Sequence, residues 1–597
     1  MTTPRNRPPA ATPSPDVSAE RAALVLWLTL ATITAARAAL TFVPSMWAWS
    51  LNLMRFMAPA TAWALWAIAA AALVPVLARA LAPVAASAGN AIERLRAWVW
   101  PACAAAAAAL VAALPDRAWF VGDFLLRQYT LEDRPTAVST WYPYALPLDL
   151  YIHDHLARDI MKHHGALAND TGRIFGAVEA ALLALLALAF ARALKLRGGA
   201  ALVAAALVFW GGHLTMLTGY NKAFSEMPLM MAAVAVTGIA LVREGRGAVA
   251  FGAVLAVSFV LHRSAMGLLP VGVLTWVLWA RAHPGAWRRP LGLAAMALPL
   301  VALAFMAPRI LHIVTRIDPM HFTPDEVKSA GGILPGLFMG TRLVDLANVV
   351  LMLAPMAVAI PIVGGMLGRR LPWRREGLVL VALALPFAAT MPFIHPGQGY
   401  YRDWDDFAGA GMTLTLLAAW MVARMLERAP RHAWVGVAAI LAAVSPSLQW
   451  LVHESDAVRG IERVETFLRE PPPRTEAERA RAWDYLGWRL TDLGRFDEAA
   501  ASFGQLATVQ PSPRVMRQWA TTVALSGDPL RAQQIYQQML ARFPDVGVGW
   551  YELARLSYGL RDYDECRRAA GQLLRLHPDD IGARALIARL DSLQAGR

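Results

Sequence analysis

Apolar residues along this chain gather in long blocks that are separated by short polar turns. A helix needs about 20 predominantly apolar residues to cross the ~30 Å hydrocarbon core of a bilayer, and the blocks have that length. The pattern continues until residue 451. It predicts thirteen membrane-spanning helices, at 22–43, 59–79, 98–115, 174–194, 200–218, 224–242, 247–262, 265–281, 290–308, 345–367, 377–393, 408–424 and 433–451.

The two ends of the chain have a different composition from this apolar region. The whole chain is 57% hydrophobic and 17% charged, whereas a soluble domain is closer to a quarter charged. The first residues are rich in Pro, Thr and Ala, and three consecutive prolines at 471–473 predict a stiff connection. The predicted layout is a disordered tail at 1–21, a membrane domain at 22–455, a linker at 456–478 and a soluble domain at 479–597.

Arginines concentrate in every second turn between the apolar blocks, and the net charge is +13. Cytoplasmic loops of membrane proteins carry such an excess, so the charge predicts a cytoplasmic N-terminus and no nucleic-acid partner. An odd number of spans places the C-terminal domain on the periplasmic side. We therefore expect a multi-pass protein of a bacterial inner (cytoplasmic) membrane. Cys103 and Cys566 are too few for a disulfide framework.

Three polar segments share the outer face in this topology, at 116–173, 309–344 and 394–407. The turns on the inner face are almost purely arginine, which suits anchoring. Charged residues at helix ends that face one compartment are candidates for function. We therefore expect the chemistry of this protein at the outer face.

Asp123 is the candidate catalytic residue, and it follows the third apolar block. Gly122 before it allows another segment of backbone to approach closely. Apolar neighbours favour a raised pKa of the Asp123 carboxyl, as a general base requires. The alternative is a carboxylate at the membrane interface that caps a short helix.

The segment 394–407 contains a dense charged run just before a predicted span. One aspartate at a helix start is explained by capping and by the helix dipole, but three are not. Arg402 can bind a phosphate through two parallel hydrogen bonds. Further site candidates in this segment are His395, Tyr401, Asp403 and Asp405. Asp405 and Asp406 are the secondary candidates for ligands of a divalent metal.

Two short outer turns add positive charge near the same face. Lys222 lies in one turn, and His262 and Arg263 lie in the other, where they can hold a phosphate. The alternative is a set of anchors whose charged heads reach the membrane surface. Glu226 lies one turn inside a predicted span and needs a partner at that depth. Lys222, four residues earlier, is the expected partner.

Part of the first outer segment has the spacing of a surface helix. Ile152, Leu156 and Ile160 recur at helical intervals, which predicts an amphipathic helix lying on the membrane. The same segment contains the histidines His153, His155, His163 and His164. A metal site is therefore an alternative to a solvated interfacial helix.

The soluble C-terminal region contains a repeat. Its prolines Pro511, Pro544 and Pro578 are 33 and 34 residues apart, and Trp483 and Trp550 are 67 apart. This spacing matches the 34-residue tetratricopeptide pattern, in which small and large residues interlock paired helices. We expect about three repeats and a capping helix near 580–593, which together form an α-solenoid that binds a protein or peptide partner. The predicted fold class is all-α, a polytopic helix bundle followed by this solenoid.

The layout of Asp123 in an early outer loop after an apolar helix resembles the GT-C superfamily of lipid-dependent membrane glycosyltransferases. Spans followed by outward-facing repeats also resemble the TMTC-type O-mannosyltransferases of the endoplasmic reticulum. A group of bacterial membrane proteins with repeats is similar in its short motifs, here Gly122-Asp123, Gly219-Tyr220, Leu261-His262 with Pro270, and Asp403-Trp404-Asp405. Two departures are that the acidic loop follows the third block instead of the first, and that Asp123 has no adjacent acid.

The resemblance implies that a sugar moves from a polyprenyl-phosphate donor to a protein or envelope-glycan acceptor at the outer face, with inversion. Asp123 is then the base. The phosphate-binding residues are Lys222, His262, Arg263 and Arg402. The expected partners are the bilayer, the lipid-linked sugar and a protein bound by the repeats. This chemistry requires no cofactor, although the run of aspartates leaves a divalent metal open.

Two other functions fit the sequence. One is an enzyme like the O-antigen polymerases and ligases, which the Arg and His residues of 309–344 favour. The other is a non-enzymatic membrane anchor that presents the repeats as a scaffold for envelope assembly. The scaffold predicts that the charged outer clusters do not converge on a cavity.

Overall fold

The computed structural model describes residues 16–94, 97–133 and 144–595. The regular elements in these ranges are helices, with no β-strand among them, which confirms the all-α class. The chain divides into two compact units, Met1–Arg463 and Val464–Arg597. The boundary falls inside one helix, Ala457–Arg469.

The first unit is a bundle of α-helices of very different lengths. These are α1 (Val17–Leu40), α2 (Pro59–Ala72), α3 (Pro75–Glu93), α4 (Val99–Ala113), α5 (Phe124–Asp133), α6 (Pro147–Leu150), α7 (Ala157–His164), α8 (Ala168–Ala193), α9 (Gly198–Phe209), α10 (Glu226–Glu244), α11 (Ala248–Leu261), α12 (Leu269–Ala282), α13 (Pro290–Arg316), α14 (Pro319–Phe322), α15 (Asp325–Ser329), α16 (Ile333–Gly336), α17 (Arg342–Leu353), α18 (Ala359–Leu367), α19 (Leu378–Thr390), α20 (Ala408–Arg428) and α21 (Val435–Glu454). The next helix, α22 (Ala457–Arg469), contains the boundary between the two units. Shorter helical turns include Tyr151–Leu156 between α6 and α7, Gly212–Thr218 after α9, Arg263–Leu268 before α12, Pro355–Val358 before α18 and Trp404–Phe407 before α20.

Eight helices of the described chain are long and apolar enough to cross a membrane, by length and composition. They are Val17–Leu40, Ala168–Ala193, Glu226–Glu244, Arg263–Ala282, Pro290–Arg316, Trp373–Phe393, Trp404–Arg428 and Val435–Glu454. Three bent helix pairs raise the number to eleven if each pair is one span. The remaining two predicted spans, 98–115 and 247–262, coincide with the shorter apolar helices α4 and α11. Thirteen crossings therefore stay a prediction.

Three of the segments predicted as single spans are bent in the structure. The bends measure 85° between α2 and α3, 54° after α9 and 109° after α17. Pro75 and Pro355 begin the second helix of their pairs, and a proline has no N–H to continue the helix before it. Gly211 and Gly212 lie at the break after α9, where a Cβ at Gly212 would come within 2.5 Å of the Met352 carbonyl oxygen.

The core of the first unit lies around α20. Its candidate span is 83% buried within the protein, whereas the span of α13 is 22% buried. Helix α20 contacts α9, α10, α18 and α19. Small residues on neighbouring helices bring backbones together, and a Cβ at Gly176 of α8 would lie 1.9 Å from the Leu217 carbonyl oxygen. Helix α20 is therefore central, while α13 runs along the periphery.

An arginine cluster, formed by Arg243, Glu376 and Arg424, closes one end of this bundle. Glu376 is buried and binds both arginines, at 3.3 Å from Arg243 and 2.6 Å from Arg424. The two guanidinium groups also donate to the Leu194 carbonyl oxygen, at 3.0 and 2.8 Å. Two of the inner-turn arginines interpreted as anchors therefore join the ends of α10 and α20 through a buried carboxylate.

Two predicted boundaries differ from the structure. Residues 1–15 of the predicted tail lie outside the described residues, but α1 already begins at Val17, with Asp16 as its N-cap. Much of the predicted linker 456–478 is helical, because α22 occupies it. Ile461, Val464 and Phe467 recur at helical spacing and are buried, so α22 packs as an amphipathic helix.

The second unit is a series of helices of similar length. They are α23 (Glu476–Asp492), α24 (Phe496–Val509), α25 (Pro513–Leu525), α26 (Pro529–Arg542), α27 (Gly547–Gly559), α28 (Tyr563–Leu576) and α29 (Ile581–Ala595). Successive helices pack as antiparallel neighbours because their connections are short. Gly487 lets α23 approach the ring of Phe503, and the Trp550 indole donates to the Pro544 carbonyl oxygen at 2.7 Å. These contacts are those expected from interlocking small and large residues.

Candidate functional site

Two segments far apart in the sequence meet at Gly122. The Gly122 N–H donates to the Arg402 carbonyl oxygen at 2.9 Å, and Arg402 Nε donates to the Phe120 carbonyl oxygen at 3.2 Å. Gly122 has a positive φ of 49°, and a Cβ there would lie 2.4 Å from Asp405 Oδ2. Glycine is therefore required both by the backbone conformation and by the close approach of the Asp405 carboxylate.

Lys222 links the aspartates of these two segments. Its Nζ lies 3.1 Å from Asp123 Oδ2 and 3.8 Å from Asp405 Oδ2. The Tyr220 hydroxyl donates to Asp405 Oδ2 at 2.5 Å, so the turn before α10 supplies two donors. We call Lys222 and the aspartates around it, which are Asp123, Asp403, Asp405 and Asp406, the carboxylate cluster.

Gln398 belongs to this site, although no charge or motif marks it in the sequence. Its side-chain amide donates to Asp123 Oδ1 at 3.2 Å, and its backbone N–H donates to Asp403 Oδ2 at 2.7 Å. Gln398 lies between two glycines in the segment 394–407, and that position was its only signal. Gln398 therefore binds one aspartate of its own segment, Asp403, and one of the segment around Gly122, Asp123.

The charge state of Asp123 differs from the expectation. Burial alone would raise the pKa of Asp123, but the Lys222 ammonium, helped by Arg127 and Arg402, holds it below its usual value. The prediction of a raised pKa is wrong because the ion pair outweighs desolvation. Asp123 keeps 20% of its side chain exposed, so this ionised carboxylate remains accessible.

The neighbouring groups respond to the same charges. Burial would lower the pKa of Lys222, but Asp123 and Asp405 hold it well above its usual range. Burial, and then repulsion from Asp406 and Asp405, raises the pKa of Asp403 well above its usual value. Burial and the nearby Asp405 carboxylate also raise the pKa of Tyr220, so its hydroxyl stays a donor. The cluster thus combines one cation with carboxyl groups of contrasting acidity.

The side chains of Arg402 and Tyr401 lie close to the cluster but pack against aromatic rings. The Arg402 guanidinium lies 5.6 Å from the centre of the Phe120 ring and is buried. The Tyr401 ring packs edge-on against Trp49, with 5.3 Å between ring centres, and lies 5.2 Å from Phe120. Both residues therefore fix the loop that carries Asp403 and Asp405.

His262 and Arg263 lie at an apolar cavity next to the carboxylate cluster. Arg263 Nε donates to Asp318 Oδ1 at 2.9 Å, and its Nη1 lies 3.2 Å from His262 Nε2. The cavity has a volume of about 300 Å³. Its polar lining includes Asp406 of the carboxylate cluster, and its apolar lining includes Met227, Met266, Val314, Phe322, Phe387, Met391 and Phe407.

His395 stands apart from these groups. The Arg342 guanidinium contacts a ring nitrogen of His395 and also donates to the Ile394 carbonyl oxygen at 3.0 Å. Burial and the Arg342 guanidinium lower the pKa of His395 to about 4. The backbone N–H of His395 donates to the His321 carbonyl oxygen at 2.6 Å, which connects segment 394–407 to segment 309–344. His395 therefore positions a loop and is neutral near pH 7.

Glu226 has a different partner from the one expected. Its Oε1 lies 3.0 Å from His153 Nε2, while Lys222 binds Asp123 and Asp405 instead. The predicted Lys222–Glu226 pair is wrong because Lys222 finds stronger partners that are distant in sequence. His153 also lies 2.9 Å from Asp149.

The helix expected on the membrane surface turns a polar stripe towards the bundle. Asp149, His153 and Ala157 are buried, while Ile152, Leu156 and Ile160 are half-buried. His155, His163 and His164 are exposed. The buried side of this helix thus carries an ion pair, which the apolar spacing could not reveal.

Within the described ranges, one group of three side chains has the geometry to hold a metal ion. It consists of His153, Glu179 and Glu226, whose ligand atoms lie within 4.8 Å of one another. Asp405 and Asp406 do not belong to this group. Glu179 was not singled out from the sequence, although a carboxylate within an apolar helix is itself a signal.

Comparison with known proteins identifies the repeats. A family model described as Tetratricopeptide repeat matches residues 524–590. No curated protein matches the chain. The crystal structure of the P58(IPK) TPR domain is similar at 12% identity, covering 75% of this chain and 99% of that chain, with a TM-score of 0.19. So low a score says nothing about the shape of the whole molecule. The prediction of tetratricopeptide repeats in the C-terminal region is therefore confirmed for residues 524–590.

Proposed function

We propose that the first unit is a membrane glycosyltransferase that moves a sugar from a polyprenyl-phosphate donor to an acceptor on the periplasmic face. One observation carries the proposal. Asp123, Lys222 and Asp405 come from three segments distant in sequence and meet in one cluster, whose Asp406 lines an otherwise largely apolar cavity together with Arg263. A scaffold has no need for such a cluster next to a cavity, whereas an enzyme does.

Asp123 acts as the base in this reaction. Its carboxylate is ionised and accessible, and it accepts the proton of the acceptor hydroxyl while that oxygen attacks the anomeric carbon. The bond from the anomeric carbon to the phosphate oxygen breaks at the same time, and polyprenyl phosphate leaves. Attack from the side opposite the leaving group inverts the anomeric centre. Asp123 is a weak base while Lys222 is bound to it, so its basicity rises when Lys222 turns to the substrate.

Lys222 and Arg263 stabilise the phosphate. Negative charge on the leaving phosphate grows in the transition state, and fixed cations nearby lower the barrier. Lys222 binds the donor phosphate in competition with Asp123, which couples donor binding to activation of the base. Arg263 and His262 lie at the apolar cavity, whose lining suits the first isoprene units of the donor. Arg402 contributes by holding Gly122 and Phe120 in place.

The tetratricopeptide repeats supply a protein partner. Such repeats present an extended surface for peptides, and they are not catalytic themselves. A protein acceptor recruited by the repeats is the simplest role for both units in one chain.

The test is turnover of lipid-linked sugars by the purified full chain in lipid nanodiscs. Polyprenyl-phosphate glucose, mannose and galactose are offered with a periplasmic protein extract, and release of polyprenyl phosphate is measured. We expect release from at least one donor, and a loss of roughly 100-fold or more in Asp123→Asn, the usual worth of a general base.

The control is Asp325→Asn, whose carboxylate is exposed and pairs with Lys328 on a short helix. It should turn over the donor like the unchanged protein. Equal rates for the Asp123 and Asp325 variants would remove Asp123 from the mechanism. No release from any of the three donors would refute the transferase.

The family match favours a second function, a scaffold for envelope assembly. In that case the repeats bind partners and the first unit serves as their membrane anchor. Asp123→Asn would then leave both partner capture and growth unchanged, while removal of the repeats would abolish capture. The transferase predicts instead that Asp123→Asn keeps partner capture and loses turnover.

A further inference from the structure

A buried cluster lies one helical turn beyond the carboxylate cluster and takes no part in the transfer. Glu226 begins α10, Glu179 lies in the middle of α8, and His153 lies in the turn between α6 and α7. All three side chains are buried, with 9%, 6% and 2% of the residue surface exposed. Their ligand atoms lie within 4.8 Å of one another. Two carboxylates this close and this deep repel each other unless one of them is protonated or a cation lies between them.

A second observation points to a ligand. Among the described residues, Glu179 Oε2 is a buried oxygen with no hydrogen-bond partner. An orphaned buried polar atom is costly, because it has lost its water. Glu179 is more than nine-tenths buried, and its carboxylate lies within 4.8 Å of the ligand atoms of His153 and Glu226. His153 Nε2 is paired with Glu226 Oε1 at 3.0 Å, so the imidazole and both carboxylates share one buried place.

The orientation of His153 is that of a metal-bound histidine. Its Nδ1 lies 2.9 Å from Asp149 Oδ1, and Asp149 is in turn 3.6 Å from the Arg127 guanidinium. Histidines that bind metals typically donate one ring N–H to a carboxylate, which fixes the ring and presents the other nitrogen to the metal. Asp149 therefore directs Nε2 of His153 towards Glu179 and Glu226.

We propose that His153, Glu179 and Glu226 bind a divalent transition-metal ion of the Zn²⁺ or Mn²⁺ class. One imidazole and two carboxylates are a mixed nitrogen and oxygen set, which suits these ions better than a thiolate-seeking metal. Ligands of a tetrahedral Zn²⁺ site lie roughly 3.3 Å apart, given bonds of about 2.0–2.1 Å. The three ligand atoms lie within 4.8 Å of one another, so they must approach each other by up to about 1.5 Å to reach that spacing.

The site ties three parts of the first unit together. It joins the segment after α6 to α8 and to the start of α10, which lies one turn from Lys222. Ser225 supports it, since its hydroxyl donates to Glu226 Oε2 at 3.1 Å and lies 3.3 Å from Glu179 Oε1. The metal is thus a structural element beneath the carboxylate cluster, and its presence does not depend on the proposed transferase.

The test measures metal in the purified full chain. The protein is loaded separately with Zn²⁺ and Mn²⁺, desalted, and analysed for metal content and for affinity by competition with a fluorescent chelator. We expect about one ion per chain, and its loss in Glu179→Gln, which preserves the shape of the side chain. Asp149→Asn should keep the ion but bind it roughly 10- to 100-fold more weakly, as the removal of a supporting carboxylate does.

The matched control is Glu454→Gln. Glu454 is also buried and lies 3.2 Å from a histidine, His453, but it is not part of a three-ligand group. This variant should keep the ion, and a thermal unfolding curve checks that each variant is folded. No ion in the unchanged protein would overturn the proposal and leave His153 as a buried cation between carboxylates. An ion that survives Glu179→Gln but is lost in Asp405→Asn would also overturn it, by moving the metal to the carboxylate cluster.

Discussion

The helix bundle of the first unit carries a charged cluster at each end, and the two clusters are composed in opposite ways. Helices α10 and α20 run between them, and Glu226 is separated from Arg243 by roughly 25 Å of helix at 1.5 Å per residue. The arginine cluster has two cations around the buried Glu376. The carboxylate cluster has four aspartates around Lys222.

The comparison indicates that the charged groups stabilise the structure at one end of the bundle and are available for chemistry at the other. In the arginine cluster the carboxylate binds both cations, and the Leu194 carbonyl accepts from each of them. In the carboxylate cluster one cation is shared by Asp123 and Asp405, and Asp405 Oδ1 has no hydrogen-bond partner among the described residues. A buried carboxylate whose two oxygens are both paired stabilises the fold, whereas a cluster with surplus acceptors is suited to binding a substrate that brings donors or cations.

Removal of Glu376 should have the largest effect on stability. Glu376→Ala leaves two partly buried arginines facing each other, and the loss of one partner from a buried pair costs about 3 kcal/mol or more. The control is Glu427→Ala, which removes a more exposed partner of the same Arg424 and should cost no more than about 1 kcal/mol. Equilibrium unfolding in detergent measures both. Equal losses would show that the arginine cluster is not the structural end of the bundle.

Gly122→Ala should disturb the carboxylate cluster at the other end of the bundle and lower the rate of donor turnover. The added Cβ would lie 2.4 Å from Asp405 Oδ2, so the carboxylate must move, and a displacement of about 1 Å can cost roughly 100-fold in rate. Gly165→Ala is the matched control, because Gly165 also has a positive φ but nothing lies within 4 Å of its Cβ. Donor turnover should fall in the first variant alone. If both variants lose the same activity, backbone strain rather than the Asp405 contact is responsible.

The smallest effect concerns acid stability. The pKa of Asp123 is held below its value of 3.8 in an unfolded chain, so its ion pair with Lys222 stabilises the folded state above about pH 4. That contribution disappears as the pH falls through the lower, folded pKa. The difference in unfolding free energy between the unchanged protein and Asp123→Asn should therefore shrink below pH 4. A constant difference across this range would show that the contribution of Asp123 to the unfolding free energy does not depend on its charge.

Helix positions were predictable because the length of an apolar block is set by the sequence alone. The bends were missed at places where the sequence did contain a signal. Pro75 and Pro355 lie inside segments that were predicted as single spans, and a proline within an apolar block commonly breaks a helix. The linker at 456–478 was predicted from the prolines at 471–473, whereas Ile461, Val464 and Phe467 have the spacing of the amphipathic helix α22.

The candidate site was predictable as a set of residues but not as a set of pairs. Asp123, Lys222 and Asp405 are each charged residues at helix ends, and that is visible in the sequence. Their pairing depends on which segments meet across 99 residues or more, so the local Lys222–Glu226 pair was preferred wrongly. Glu179 was visible as a carboxylate inside an apolar helix. Its neighbour His153 was not predicted to be buried, because the spacing of Ile152, Leu156 and Ile160 placed that helix on the membrane surface.

The hydrogen bond between Phe120 and Arg402 has a consequence for the biosynthesis of the chain. These residues are 282 positions apart, and ribosomes add roughly 5–20 residues per second, so about 15 to 55 s pass between their syntheses. During this interval Asp123 has neither the loop that supports its backbone nor the Asp405 carboxylate beside Lys222. The site is therefore assembled late, after most of the first unit has left the ribosome.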